Sequence, residues 1–94
     1  MSVTETSVRF HPGRILITQG AMIELPIEDI LKALVRHLSG DWGELEELDW
    51  KANDEALEYG GRIFSRFKTR EGNRYWIITE CDRSVTTVLL PREY

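Results

Sequence analysis

Hydrophobic and polar positions alternate along this chain with two different periods. From Pro26 onward, Ile27, Ile30, Leu31, Leu34, Val35 and Leu38 recur at i, i+3, i+4, i+7, i+8 and i+11. That spacing predicts a helix with one apolar stripe, leaving Glu28, Asp29, Lys32 and Arg36 on the other side. Its ends agree: Pro26 suits a first helical position, Glu28 and Asp29 complement the positive end of the dipole, Arg36 and His37 the negative end, and Gly40 stops it. A second helix is predicted to open either at Asp41, with Glu44 as its capping partner, or near Asp49, and to run to Glu58. Its stripe is thinner (Leu45, Leu48, Ala52, Ala56, Tyr59), and Gly60-Gly61 ends it.

The other period is two. Residues 14–18 form a short β-branched run between Pro12-Gly13 and Gln19-Gly20, which reads as a strand too brief to stand alone. Residues 62–68, 74–80 and 84–90 are rich in β-branched and aromatic side chains and are joined by short connections, which predicts an antiparallel meander. Tyr75, Ile77 and Thr79 share one face, and Trp76, Ile78 and Glu80 the other. Large apolar groups on both faces imply a sheet covered by helices on one side and partly covered or adhesive on the other. The expected fold is therefore α+β: an N-terminal strand, two helices, then a three-stranded antiparallel meander, with the first strand joining one sheet packed by the helices. The 94 residues suffice for one domain, 9–94, after a disordered, polar N-terminus, 1–8.

Charge changes the picture more by its distribution than by its total. Twelve basic and 16 acidic residues give a formal −4, which argues against a surface devoted to nucleic acid. Yet residues 24–58 hold eleven acids and three bases, whereas residues 62–83 hold six bases and three acids. The question is whether the acidic segment covers the basic one or leaves a bipolar surface. No run approaches the roughly 20 apolar residues of a membrane span, and the polar opening is unlike a signal peptide. With a single cysteine, Cys81, stability has to come from packing, as in a reducing, cytoplasmic setting. His11 and His37 have no metal-type spacing, so neither a metal nor a cofactor is expected.

Three clusters carry candidate chemistry. At the end of the first helix, His37, Asp41 and Trp42 gather: His37 either shuttles a proton, oriented by Asp41, or caps its helix while Trp42 plugs a gap between helices. The helix terminus is a sufficient reason for a histidine there, which favours the second reading. Glu80, Asp82 and Arg83 make a polar hairpin tip, either a recognition edge or a turn in which Asp82 and Ser84 satisfy their own backbone and Arg83 pairs with an acid. Arg62, Arg66, Lys68, Arg70, Arg74 and Arg83 interleave with Phe64, Phe67, Tyr75 and Trp76, a pattern shared with single-stranded nucleic-acid binders, though the acidic segment is available to neutralise it. Cys81 reads as a small packed hydrophobe rather than a reactive thiol.

Two blocks carry a resemblance. Residues 36–43, Arg-His-Leu-Ser-Gly-Asp-Trp-Gly, continued by Asp49, Asn53 and Ala56, and residues 76–91, Trp-Ile-Ile-Thr-Glu-Cys-Asp-Arg-Ser-Val-Thr-Thr-Val-Leu-Leu-Pro, resemble a family of small bacterial proteins of plasmids, phages and other mobile elements. The likeness covers residues 9–94, and some members carry the label of a restriction-system subunit, although a methyltransferase domain does not fit in 94 residues. The sequence departs from the family's pattern at Phe67, where tyrosine is common, and at Cys81, where alanine is common. The resemblance implies a mobile-element accessory protein. A likeness of shape alone points to the small toxin ribonucleases of toxin and antitoxin pairs.

Together these readings predict a non-catalytic protein that binds a protein partner or its own copy through Asp41, Trp42, Arg66, Trp76, Glu80, Asp82 and Arg83. An acidic protein of this size suits the basic nucleic-acid groove of a host defence nuclease, of restriction or RNA-guided type. The competing class is a metal-independent ribonuclease or an RNA-binding module, with His37 and Arg83 acting on RNA phosphates.

Overall fold

A computed structural model describes residues 8–94. The disorder expected of residues 1–8 falls, apart from Val8, outside the described residues. In chain order the elements are strand β1 (Arg14–Ile17), helices α1 (Gln19–Glu24), α2 (Ile27–Leu38) and α3 (Glu47–Tyr59), strands β2 (Ile63–Lys68), β3 (Arg74–Thr79) and β4 (Val85–Leu89), and a closing 3-10 turn, Pro91–Glu93.

The expected arrangement of two helices and a three-stranded antiparallel meander is corrected in two places. The sheet is four-stranded and mixed, in the order β1-β4-β3-β2, with β1 parallel to β4 and the other two pairs antiparallel. There are also three helices, because residues read as a turn after β1 form α1, whose N-cap Thr18 accepts a hydrogen bond from Ala21 N at 3.2 Å. The parallel pairing follows from where the chain enters. Gly13, at φ 66°, lies so close to Ser84 that an added Cβ would sit 2.2 Å from its carbonyl oxygen, and Arg14 N donates to that oxygen at 2.9 Å. The first strand thus starts beside the start of β4 and runs with it.

Strand alternation divides the side chains cleanly. Ile17, Phe67, Tyr75, Ile77 and Val88 point to one face, where Ala21 and Leu25 of the α1 region and Ile30, Ala33 and Leu34 of α2 cover them. The stripe expected on α2 is therefore only half buried. Ile30, Leu34 and His37 go inward with Ala33, while Ile27, Leu31 and Val35 are exposed.

The second core joins Trp42, Leu45, Ala56 and Ile63, with Phe10, Trp50, Leu57 and Phe64 packed against it. Of the stripe expected on the second helix, Leu45 and Ala56 are buried, whereas Leu48, Ala52 and Tyr59 face solvent, and Trp50, Asn53 and Leu57 take inward positions instead. Asn53 replaces a hydrophobe because it works on backbone. Its amide donates to Phe64 O at 2.6 Å and accepts from Phe64 N at 3.2 Å, standing in for a neighbouring strand at the edge of β2. Residues 42–44 cover the rest of that edge: Arg66 N donates to Trp42 O at 3.2 Å and Glu44 N to Arg66 O at 2.7 Å. Gly43 permits the approach, since at φ 74° a Cβ there would lie 2.0 Å from Arg66 O.

Candidate functional site

His37 lies on the inward face of α2, and its ring packs over the sheet face against side chains of β2 and β3. It is fully buried. Its Nδ1 is 2.6 Å from Ser65 Oγ and its Nε2 is 2.9 Å from Thr79 Oγ1. Thr79 Oγ1 in turn lies 2.7 Å from Thr86 Oγ1, which donates to Pro12 O at 2.7 Å. This last bond fixes the order of the whole chain of hydroxyls. A carbonyl only accepts, so the single hydroxyl proton of Thr86 is committed to Pro12, and Thr86 must accept from Thr79. Thr79 then accepts from His37, so the imidazole carries its proton on Nε2, and Nδ1 accepts from Ser65. Phe10 and Trp42 close the ring in, edge to face, at centroid distances of 5.4 and 5.7 Å. Burial, and next the positive charge of Arg83, push the His37 pKa down to about 3, so it is neutral at physiological pH.

Arg83 is the described non-glycine residue with a left-handed backbone, at φ 61°. Its turn aims the guanidinium back into the fold. One terminal nitrogen donates to Gly61 O at 2.5 Å, with Glu80 O at 3.2 Å and Cys81 O at 3.3 Å, and the other donates to Ala56 O at 3.0 Å. Arg83 thus satisfies a carbonyl in the last turn of α3 and ties that helix to the β3–β4 turn. The ion pair expected for it is replaced by these carbonyls. Arg83→Ala is expected to cost about 2 kcal/mol of stability, the scale of lost hydrogen bonds to a charged group, measurable by urea unfolding.

His37 and Arg83 come near one another around Phe10, whose ring centroid is also 5.6 Å from the Arg83 guanidinium carbon. Both ring nitrogens of the histidine and both terminal nitrogens of the arginine are already bonded inside the protein. The capping role considered for His37 falls to Ser39, whose hydroxyl donates to Val35 O at 2.7 Å. Trp42 fills the gap as expected, fully buried, with Nε1 donating to Asp54 at 3.0 Å, so it offers nothing to an external partner. Asp41 pairs with Arg36 at 2.7 Å and accepts from Gly43 N, and the Arg36 bond holds its carboxyl below the usual range.

In the β3–β4 turn, Asp82 accepts from the Ser84 backbone and hydroxyl, which lowers its pKa, and Glu80 lies 3.8 Å from Arg62. Cys81 is exposed rather than packed, because the turn places it on the surface. Arg66 and Trp76 are cross-strand partners on the sheet face opposite the helices. Sequence reasoning missed what surrounds Trp76 there. Phe64 and Tyr94 meet its ring edge to face at 5.1 and 5.6 Å, and Arg62 donates to the Tyr94 hydroxyl at 2.8 Å, forming with Ile78 a shallow pocket of about 260 Å³. Alternation carries the signal for Phe64 and Ile78, but the return of Tyr94 has none.

The acidic segment covers the basic one only at Glu44, which reaches Lys68 at 3.5 Å and Arg74 at 3.6 Å. Among the described residues, Arg66 and Arg70 have no ion-pair partner, nor have Glu46, Glu47, Asp49, Asp54, Glu55 and Glu58 along α3. The acidic side of α3 is open, whereas four of the six bases of residues 62–83 (Arg62, Lys68, Arg74 and Arg83) are engaged within the protein. Among the described residues no group of three or more histidine, cysteine or acidic side chains is placed to hold a metal ion, and no helix is long and apolar enough to cross a membrane.

No protein-family model, curated protein or solved structure matches the chain.

Proposed function

We propose that this is a non-catalytic binding protein of a mobile genetic element, engaging a protein partner through the acid-rich outer side of α3. The observation that carries this reading is electrostatic. Residues 46–58 hold six acids and one base, all seven exposed, and none is in an ion pair among the described residues. The helix thereby keeps a negative field that a basic groove would neutralise, and such complementarity speeds encounter and sets register. The mobile-element context comes from the resemblance of residues 36–43 and 76–91, and it points to the DNA-binding groove of a restriction or RNA-guided nuclease as the partner surface. In the ribonuclease alternative, His37 and Arg83 would have to abandon internal bonds to reach a phosphate.

The test is a DNA-retention assay in which a restriction nuclease or an RNA-guided nuclease is titrated with the protein. Wild type is expected to displace DNA from one of them, less effectively as salt rises. A triple variant, Glu47→Lys, Glu55→Lys and Glu58→Lys, is expected to lose at least about tenfold in potency through charge reversal. Unchanged DNA retention by both nuclease types at large molar excess of folded protein would sink the proposal.

A further inference from the structure

We propose that β1 is the seam of a symmetric dimer, pairing antiparallel with β1 of a second copy of this chain about a two-fold axis through Leu16. The fold treats its two sheet edges unequally. The outer edge of β2 is occupied by residues 42–44 and by the Asn53 amide, whereas among the described residues β1 has a neighbour, β4, on one side only. Arg14 N and Thr18 N both donate to β4, at 2.9 and 3.0 Å. By the alternation of a parallel ladder, the backbone groups of Ile15 and Ile17 point outward. An edge of this kind is a template for another strand; β1 is only four residues long and carries one charge, Arg14, but no lysine, proline or bulge.

The surroundings are apolar. Ile15 and Leu16 are 45% and 42% exposed on the edge strand itself. Met22 and Ile23 follow on α1, and Ile27, Leu31 and Val35 line one flank of α2, each about half exposed or more. The opposite flank of α2 faces β2 and β3, because Arg36 lies over Phe67 at 4.8 Å and the Tyr75 hydroxyl donates to Asp29 O. The apolar flank is therefore the one turned toward β4 and β1. By alternation Ile15 lies on the helix-covered face of the sheet and Leu16 on the other, so pairing at this edge would cover apolar side chains on both faces.

A second copy fits this edge in register and in charge. Centring the axis on Leu16 sets Ile15 of each copy opposite Ile17 of the other, so both outward-facing residues bond. Centring it on Ile15 or Ile17 pairs only one of them. The same register sets Arg14 of each copy opposite Thr18 of the other. Thr18 donates to the Glu93 carboxylate, which also accepts from Gly20 N at 2.9 Å. Each arginine thus arrives beside the other copy's carboxylate, on the face that Arg14 and Thr18 share by alternation. This proposal stands independently of the acidic α3 surface and can fail or hold without it.

Sedimentation velocity of the full chain tests it. The expected species has twice the 10.9 kDa chain mass. Leu16→Lys places two like charges on the axis and is expected to weaken self-association by at least about 30-fold, the scale of a central interface residue. Leu48→Lys, at an exposed apolar position on α3, is expected to leave it unchanged. Should Leu16→Lys fail to fold, Leu16→Cys in a Cys81→Ser background decides: opposed residues between two hydrogen-bonded pairs approach closely enough for a disulfide on oxidation. A monomeric wild type overturns the proposal, as does a dimer that Leu48→Lys disrupts or that Leu16→Cys fails to cross-link.

Discussion

Trp42→Ala is expected to lower the unfolding free energy by about 4 kcal/mol, the usual cost of removing a buried tryptophan, and the melting temperature by about 20 °C for a domain of this length. The indole is fully buried and is the largest side chain of the second core, against Leu45, Ala56 and Ile63. Its loss also removes the donor that reaches Asp54 from residue 42 and one of the two rings that shut water away from His37. With total stabilities of small domains near 5–15 kcal/mol, one such change takes a large share. Thermal unfolding followed by far-UV circular dichroism measures it. A shift of only a few degrees would mean that α3 is not held through Trp42.

Acidification gives the second large effect. The unfolded chain binds a proton at His37 with the ordinary pKa of 6.5, whereas the folded chain does so only near 3. Between those values the unfolded state holds more protons, so stability is complete above about pH 6.5 and falls as pH is lowered. The expected loss is about 2 kcal/mol between pH 7 and 5 and about 3 by pH 4, from 1.36 kcal/mol per unit. The carboxylates whose pKa is lowered, Asp41, Asp82, Glu24 and Glu93, lose their contributions only below the ordinary carboxylate range, so the window from 7 to 5 belongs to His37. His37→Gln is expected to flatten that window while costing about 2 kcal/mol at pH 7, because two buried hydroxyls lose fitted partners. Urea midpoints across the pH range read both effects.

These two residues also mark where local pattern stops being informative. The α2 helix is legible because Ile30, Leu34 and the cap residues all agree on one period, and the strands are legible to within a residue or two of their ends. The phase of α3 is not, because its inward positions include Asn53, whose value lies in the Phe64 backbone it bonds rather than in hydrophobicity. The parallel pairing of β1 with β4 is equally hidden. Its partners, such as Ile17 and Val88, are some 70 residues apart, and nothing in a four-residue run specifies direction. At the candidate site, Ser65, Thr79 and Thr86 share one sheet face, but alternation within a strand places only Thr79 with Tyr75 and Ile77. Their convergence on His37 needs the register of three strands and the tilt of a helix at once, and a local reading supplies neither. Arg83 points inward because of one left-handed residue in a turn, a feature without a hydrophobic signature.

His37 and Arg83, the pair most suggestive of catalysis, have both ring nitrogens and both terminal nitrogens bonded inside the protein, and we propose that they act as internal scaffolding. Nitrogen-15 NMR of the His37 imidazole across pH 4 to 8 tests it most directly, since chemical shifts distinguish the two neutral tautomers from the cation. A ring protonated on Nε2 alone and unchanged down to pH 4 is the expected result. An imidazole that takes up a proton near pH 6.5, or that exchanges between tautomers, would place His37 within reach of solvent and contradict a scaffolding role.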